Sequence, residues 1–140
     1  MWVVSLPLRV QISANNWFPI NLNAFRNAHN RTLGTSKKSF EDRVIPLLAD
    51  LPEIDRVLIA YVLYTPDNRK VDVANICSIA DKWFCDALVK AGKIKDDHRH
   101  ILPIIAFRDG GIDKHNPRVD AVIHRIGPKA DIVLVDPDEP

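Results

Sequence analysis

The apolar residues from Ile76 to Ala91 constrain this chain more than any other feature. Ile76, Ile79, Ala80, Trp83, Phe84, Ala87, Leu88 and Ala91 recur at steps of three and four, which places them on one stripe of a helix that must be buried. Lys90 falls in the last turn, where a cation suits the negative end of the helix dipole. Gly92 follows as a left-handed cap. The opposite face carries Asn75, Ser78, Lys82 and Asp86 and can meet a ligand. Alternatively, Lys82 and Asp86 pair with each other across one turn, for about 0.2–0.5 kcal/mol.

Carboxylates bracket this helix: Asp72 before it, Asp96 and Asp97 after it. Each has an ordinary structural reading. Asp72 can accept backbone N–H bonds as an N-cap, and the Asp pair can be a polar turn. A helix of roughly sixteen residues is about 24 Å long. Its two ends therefore share a metal ion only if the chain after Gly92 folds back along it. The strand-like run from His100 to Phe107 offers that return path.

The order of residues around this helix resembles the RusA family of Holliday-junction resolvases. It runs Pro66-Asp67, Arg69-Lys70, Asp72-Val73-Ala74-Asn75, Asp86-Ala87-Leu88, Lys90-Ala91-Gly92 and Asp96-Asp97. Upstream, Asn15-Asn16, Asn23-Ala24-Phe25-Arg26 and Thr35-Ser36 are similar to the family's Asn-rich N-terminal region, so the resemblance spans about residues 5 to 126. It implies a small, homodimeric, Mg²⁺-dependent endonuclease of phage or prophage origin, acting on four-way or branched DNA in a bacterial or phage-infected cytoplasm. Its catalytic residues would be Asp72, Asp97 and Lys82, its metal ligands Asp72, Asp97, Asn75 and Asp96. The ion would polarise the scissile phosphate and acidify the attacking water, and Lys82 would offset developing charge. Two departures stand out. The family's second carboxylate falls on Ala74, which cannot bind a metal. The interval from Asn75 to Asp86 is longer by about one helical turn, which shifts the family's helix lysine from position 78, a serine, to Lys82.

The histidines bear on the first departure. His98 and His100 follow Asp97 and, two apart on a strand, point to one side. Either could stand in for the lost carboxylate. Because imidazole suits transition metals and Mg²⁺ prefers oxygen, such a substitution predicts a shift toward Mn²⁺. His29, His115 and His124 are isolated surface residues. Cys77 and Cys85 lie about 12 Å apart along the helix, whereas a disulfide needs Cα atoms within about 7 Å. They are expected to be thiols, as in a reducing cytoplasm. With Asp81 they share a face too extended for one soft-metal ion.

The net charge of 140 residues is only +1. Four acids (Asp131, Asp136, Asp138 and Glu139) sit in an acidic tail, residues 130–140, which leaves the rest of the chain more basic. Bases cluster in Arg26, Arg31, Lys37, Lys38 and Arg43, in Arg69-Lys70, and in Lys93, Lys95 and Arg99. A phosphate track needs such clusters, although each is also compatible with a solvated surface. The DNA-binding candidates are Arg26, Arg31, Lys37, Lys38, Arg69, Lys70, Lys93 and Lys95. No apolar run reaches the roughly 20 residues of a membrane span, and Met1 to Val4 lacks the signature of a secretion signal.

The remaining pattern predicts one α+β domain over residues 1–140, RusA-like, with a small mixed or antiparallel sheet flanked by two main helices. Trp2 to Ile12 reads as a strand interrupted at Pro7. Residues 13 to 34 read as a long Asn-rich loop able to meet a DNA backbone, in which Trp17, Phe18 and Phe25 either stack on an exposed base or staple the loop to the core, the core being favoured for Trp17 and Phe18. A helix follows from Thr35 or Ser36 through Leu48, shortened or kinked by Pro46. Residues 55 to 64 form a central strand covered on both faces. Ile101 to Phe107 is a strand ending in an Asp109-Gly110-Gly111 turn, with Val119 to Ile126 as its hairpin partner. Ile132 to Val135 is a last short strand or tail. Two other functions fit the same residues: a branched-DNA-binding protein with weak or no nuclease activity because of Ala74, and a protein-interaction module using the acidic tail and apolar patches.

Overall fold

Strict alternation along Val57–Thr65 (β4) sets the architecture. Val57, Ile59, Tyr61, Leu63 and Thr65 are buried, while Leu58, Ala60, Val62 and Tyr64 are only half-buried. The strand is central, but only one of its faces is fully covered, which corrects the expectation of cover on both. The computed structural model describes residues 1–127. The expected strand at Ile132 to Val135 and the acidic tail lie outside the described residues.

β4 pairs on both edges. Ile104–Ile112 (β5) lies parallel to it and Arg118–Arg125 (β6) antiparallel, with Trp2–Leu6 (β1) antiparallel on the far side of β6. The sheet order is β1-β6-β4-β5. Parallel neighbours need a crossover rather than a hairpin, and the helix Val73–Lys90 (α3) supplies it. The expected β5–β6 hairpin is therefore replaced. The short link after β5 crosses the end of β4, with the Asp113 N–H donating to the Thr65 carbonyl at 2.8 Å. Asp109-Gly110-Gly111 is not a turn but part of β5. Leu63 pairs with Asp109 and Tyr64 with Gly111, so Gly110 is a bulge residue. A Cβ on Gly110 would lie 2.7 Å from Val62 Cγ1 and 2.8 Å from the Tyr64 ring.

The N-terminal strand is broken at Pro7, as expected. Beyond it, Arg9–Ser13 (β2) and Asn16–Pro19 (β3) form a separate hairpin. Leu22–Asn27 (α1) and Asn30–Val44 (α2) occupy most of what reads in sequence as loop. The asparagines act as local fasteners: the Ala24 N–H donates to Asn21 Oδ1 at 2.8 Å, and Asn27 Nδ2 donates to the Asn23 carbonyl at 2.9 Å. α2 is capped six or seven residues before the predicted Thr35 or Ser36. Its N-cap is His29, and Ser36 lies inside the helix with its hydroxyl donating to the Thr32 carbonyl at 2.7 Å. Gly34 does not interrupt the helix because it lies exposed. Pro46 ends α2 at Val44 and opens a single 3-10 turn, Ile45–Leu48.

α3 packs its apolar stripe against β4 and α2. Trp83 is buried between Phe18, at 6.0 Å between ring centroids, and Phe40, at 5.7 Å. Phe84 meets Tyr61 edge-on at 6.3 Å. Burying each such ring contributes about 1.5–3 kcal/mol. Gly92 has φ +71°. The Lys93 N–H donates to the Leu88 carbonyl and the Gly92 N–H to the Val89 carbonyl, so the helix ends in a Schellman motif. On the sheet face away from the helices, Val3, Val122, Ala60 and Ala106 lie in one cross-strand row. Among the described residues no helix is long and apolar enough to cross a membrane.

Candidate functional site

The N-terminus of α3 meets α1 at a small cavity. Asp72 is the N-cap, with the Ala74 N–H donating to its Oδ1 at 3.1 Å. One carboxylate oxygen is thus engaged in capping, the structural role expected of an Asp at this position. Asn75 turns outward to α1, and the Leu22 N–H donates to its Oδ1 at 3.1 Å. That bond satisfies an N-terminal amide of α1 and ties the Asn-rich region to the Asp72–Asn75 motif. The resulting cavity, about 400 Å³, is lined by Leu22, Asn23, Arg26, Asp72, Ala74, Asn75 and Ser78. Ser78 Oγ is shielded from solvent and has no hydrogen-bond partner among the described residues. Arg26 makes no ion pair among the described residues.

Asp96 and Asp97 lie on the exposed segment between α3 and β5. This segment leaves and returns at the start of β4: the Ile54 N–H donates to the Lys93 carbonyl and the Val57 N–H to the Ile101 carbonyl, both at 2.8 Å. Asp96 Oδ1 accepts from the Asp97 N–H at 2.8 Å. The Asp97 charge adds to the raised carboxyl of Asp81, in the middle of α3. Asp72 is nine residues earlier, about 13.5 Å along the axis. His98 and His100 face each other across 5.6 Å, and His98 Nδ1 accepts from the His100 N–H. Among the described residues no three of His, Cys, Asp and Glu gather around a common point suited to a metal ion.

Asp81 is the polar group that sequence reading undervalued. Its Oδ1 accepts from the Tyr61 hydroxyl at 2.7 Å and from the Cys85 thiol at 3.3 Å. Burial raises its carboxyl above the usual carboxylate range, against the lowering effect of these two bonds, and the Asp97 charge adds to the rise. Burial and the Asp81 charge push the Cys77 thiol up to about 11, and the same causes raise Cys85. Both cysteines are free and buried, as expected. They remain protonated at neutral pH, so this face is not a thiolate site. The sequence signal was the shared face of Cys77, Asp81 and Cys85.

The basic candidates divide into two sets. Lys37 is tied to Asp86 at 2.6 Å, Lys38 to Asp42 at 3.0 Å and Arg69 to Asp67 at 2.9 Å. The Arg69 side chain, then its N–H, holds the Asp67 carboxyl below its ordinary range. Asp86 therefore pairs with α2, not with Lys82 on its own helix. Arg26, Arg31, Lys70, Lys82, Lys93 and Lys95 have no ion-pair partner among the described residues. No protein-family model matches the chain, and no curated protein matches it significantly.

Proposed function

We propose that this chain acts on branched DNA in the manner of the RusA resolvases, as a Mg²⁺-dependent endonuclease. The observation that carries the reading is the junction of α1 with the N-terminus of α3. Two sequence-distant segments, Asn23–Arg26 and Asp72–Asn75, line one cavity and are joined by the Leu22–Asn75 hydrogen bond. A phosphate there would meet the unpaired Arg26 guanidinium, a donor suited to bidentate phosphate contact. Lys70, just before Asp72, and Lys82, further along α3, also lack an ion-pair partner among the described residues. The homodimer implied by the resemblance has a surface to use in the open row Val3–Val122–Ala60–Ala106. A two-fold dimer matches the two symmetric cuts of a four-way junction.

The metal donors fit less well. Ala74 contributes none, and the Asn75 carbonyl oxygen is engaged by α1. Mg²⁺ takes an octahedral shell of oxygens, and the described side chains do not gather one. This favours a second reading, a protein that binds branched DNA and cuts it slowly or not at all.

Cleavage of a synthetic four-way junction in Mg²⁺ and in Mn²⁺ separates the two. The nuclease reading expects paired nicks by the wild type and, in Asp72→Asn and Asp97→Asn, a loss beyond the roughly tenfold to hundredfold seen for groups that only orient a metal ligand. Nicking that survives in both variants removes these acids from the chemistry. A gain on Ala74→Asp, with tight junction binding already present in the wild type, establishes the second reading.

A further inference from the structure

The exposed indole of Trp17 stands out because the sequence assigns it to the core. Alternation in the β2–β3 hairpin explains its position. Val10 pairs with Phe18 and Gln11 with Trp17. Phe18 points inward and is 5% exposed, and its neighbour Trp17 must point outward, 45% exposed. The Arg9 guanidinium lies over the indole, 4.6 Å from the ring centroid. Arg43, from the end of α2, lines the same cavity of about 470 Å³. Pro7, Pro66 and Pro117 supply rigid apolar walls, and among the described residues no acidic one lines it. Neither Arg9 nor Arg43 has an ion-pair partner among the described residues.

An occupant must offer a flat apolar face and a negative charge within one small volume. From this arrangement we infer a binding site for one nucleotide of an unpaired nucleic-acid strand. Its base stacks on Trp17 and its phosphate lies between the Arg9 and Arg43 guanidiniums. Stacking on an aromatic side chain tolerates any base, and the planar guanidinium matches a phosphate with two parallel hydrogen bonds. The Arg9–Trp17 stack holds one cation in place before the ligand arrives, which lowers the ordering cost of binding. An acidic peptide would satisfy the arginines but leave the indole without a stacking partner. The site lies at the end of the sheet where β4 closes with Pro66, the end from which the chain proceeds to Asp72. It rests on the nucleic-acid reading for its ligand class but not on cleavage.

The test is fluorescence anisotropy with a labelled short oligothymidylate, beside an abasic strand of equal length. The full chain, Trp17→Ala, Trp17→Phe and Arg43→Gln are compared, with four-way junction cleavage measured in parallel. Trp17→Ala should weaken oligothymidylate binding roughly 5- to 100-fold, while Trp17→Phe retains most of it. Abasic-strand affinity should be the same for wild type and Trp17→Ala. Arg43→Gln should weaken both strands and reduce the salt slope by about one. Unchanged oligothymidylate affinity in Trp17→Ala overturns the site, as does an acidic peptide that displaces the strand at equal concentration. Loss of binding in Trp17→Ala without any junction cleavage sustains this site and sinks the nuclease. Cleavage with unchanged binding does the reverse.

Discussion

Asp72 shows how one residue can hold a structural and a proposed chemical role at once. Its Oδ1 accepts from the Ala74 N–H, so Asp72→Ala should cost about 1 kcal/mol of stability. Asp72→Asn should cost little, because Asn caps a helix as well as Asp does. Thermal melts of the two variants therefore establish whether the Asn form is a clean probe of the carboxylate charge. Asp81 makes a prediction in pH. Its native carboxyl is raised above the ordinary range, chiefly by burial. The native state therefore favours the protonated acid. That contribution is complete below the unfolded value of about 3.9 and is lost as pH rises through the native value. At neutral pH the ionised carboxylate opposes folding, so Asp81→Asn should melt at or above the wild type there. The advantage should disappear when the melts are repeated in acid. A variant that melts lower at neutral pH would show that the hydrogen bonds from Tyr61 and Cys85 outweigh burial.

Among the elements, α2 and α3 are clasped by two ion pairs, Lys37–Asp86 at 2.6 Å and Lys90–Glu41 at 2.7 Å. The second is asymmetric: the Glu41 side chain is 11% exposed and Lys90 is 56% exposed. Removing the lysine leaves a shielded carboxylate without its partner. Lys90→Met should then destabilise by about 1–3 kcal/mol, and Glu41→Gln in the same chain should restore much of it. Denaturant titration of the single and double variants measures the difference. α3 itself was legible in sequence, including its cap at Gly92, because its stripe repeats over several turns. The start of α2 was not, because Gly34, Thr35 and Ser36 look like a break. An exposed glycine and a hydroxyl bonded back to Thr32 are tolerated within a helix whose Phe40 and Val44 are anchored in the core. The β5–β6 relation was also misread. Glycines at 110 and 111 signal a turn locally, whereas here Gly110 lets Val62 and Tyr64 lie close against it and Gly111 supplies a positive φ of +95°.

At the scale of the whole molecule, one face of the sheet is packed under helices and the other carries the row Val3–Val122–Ala60–Ala106. If a second copy covers this face, the wild type should sediment as a dimer. Ala60→Arg should shift it to a monomer with its melting behaviour largely retained. A wild type that is monomeric at high concentration removes the symmetric-dimer element of the proposed function. Sequence alone determined the α+β class, the long amphipathic helix with its glycine cap, the interruption at Pro7, a disturbance of α2 at Pro46 and the unpaired thiols. Each follows from contacts or backbone rules that act within a few residues. Only the tertiary structure decided that β5 and β6 flank β4, that Asn75 fastens α1 and that Trp17 faces outward. Those outcomes depend on which distant segments pack together, and short-range periodicity gives a side chain its face without naming the partner opposite.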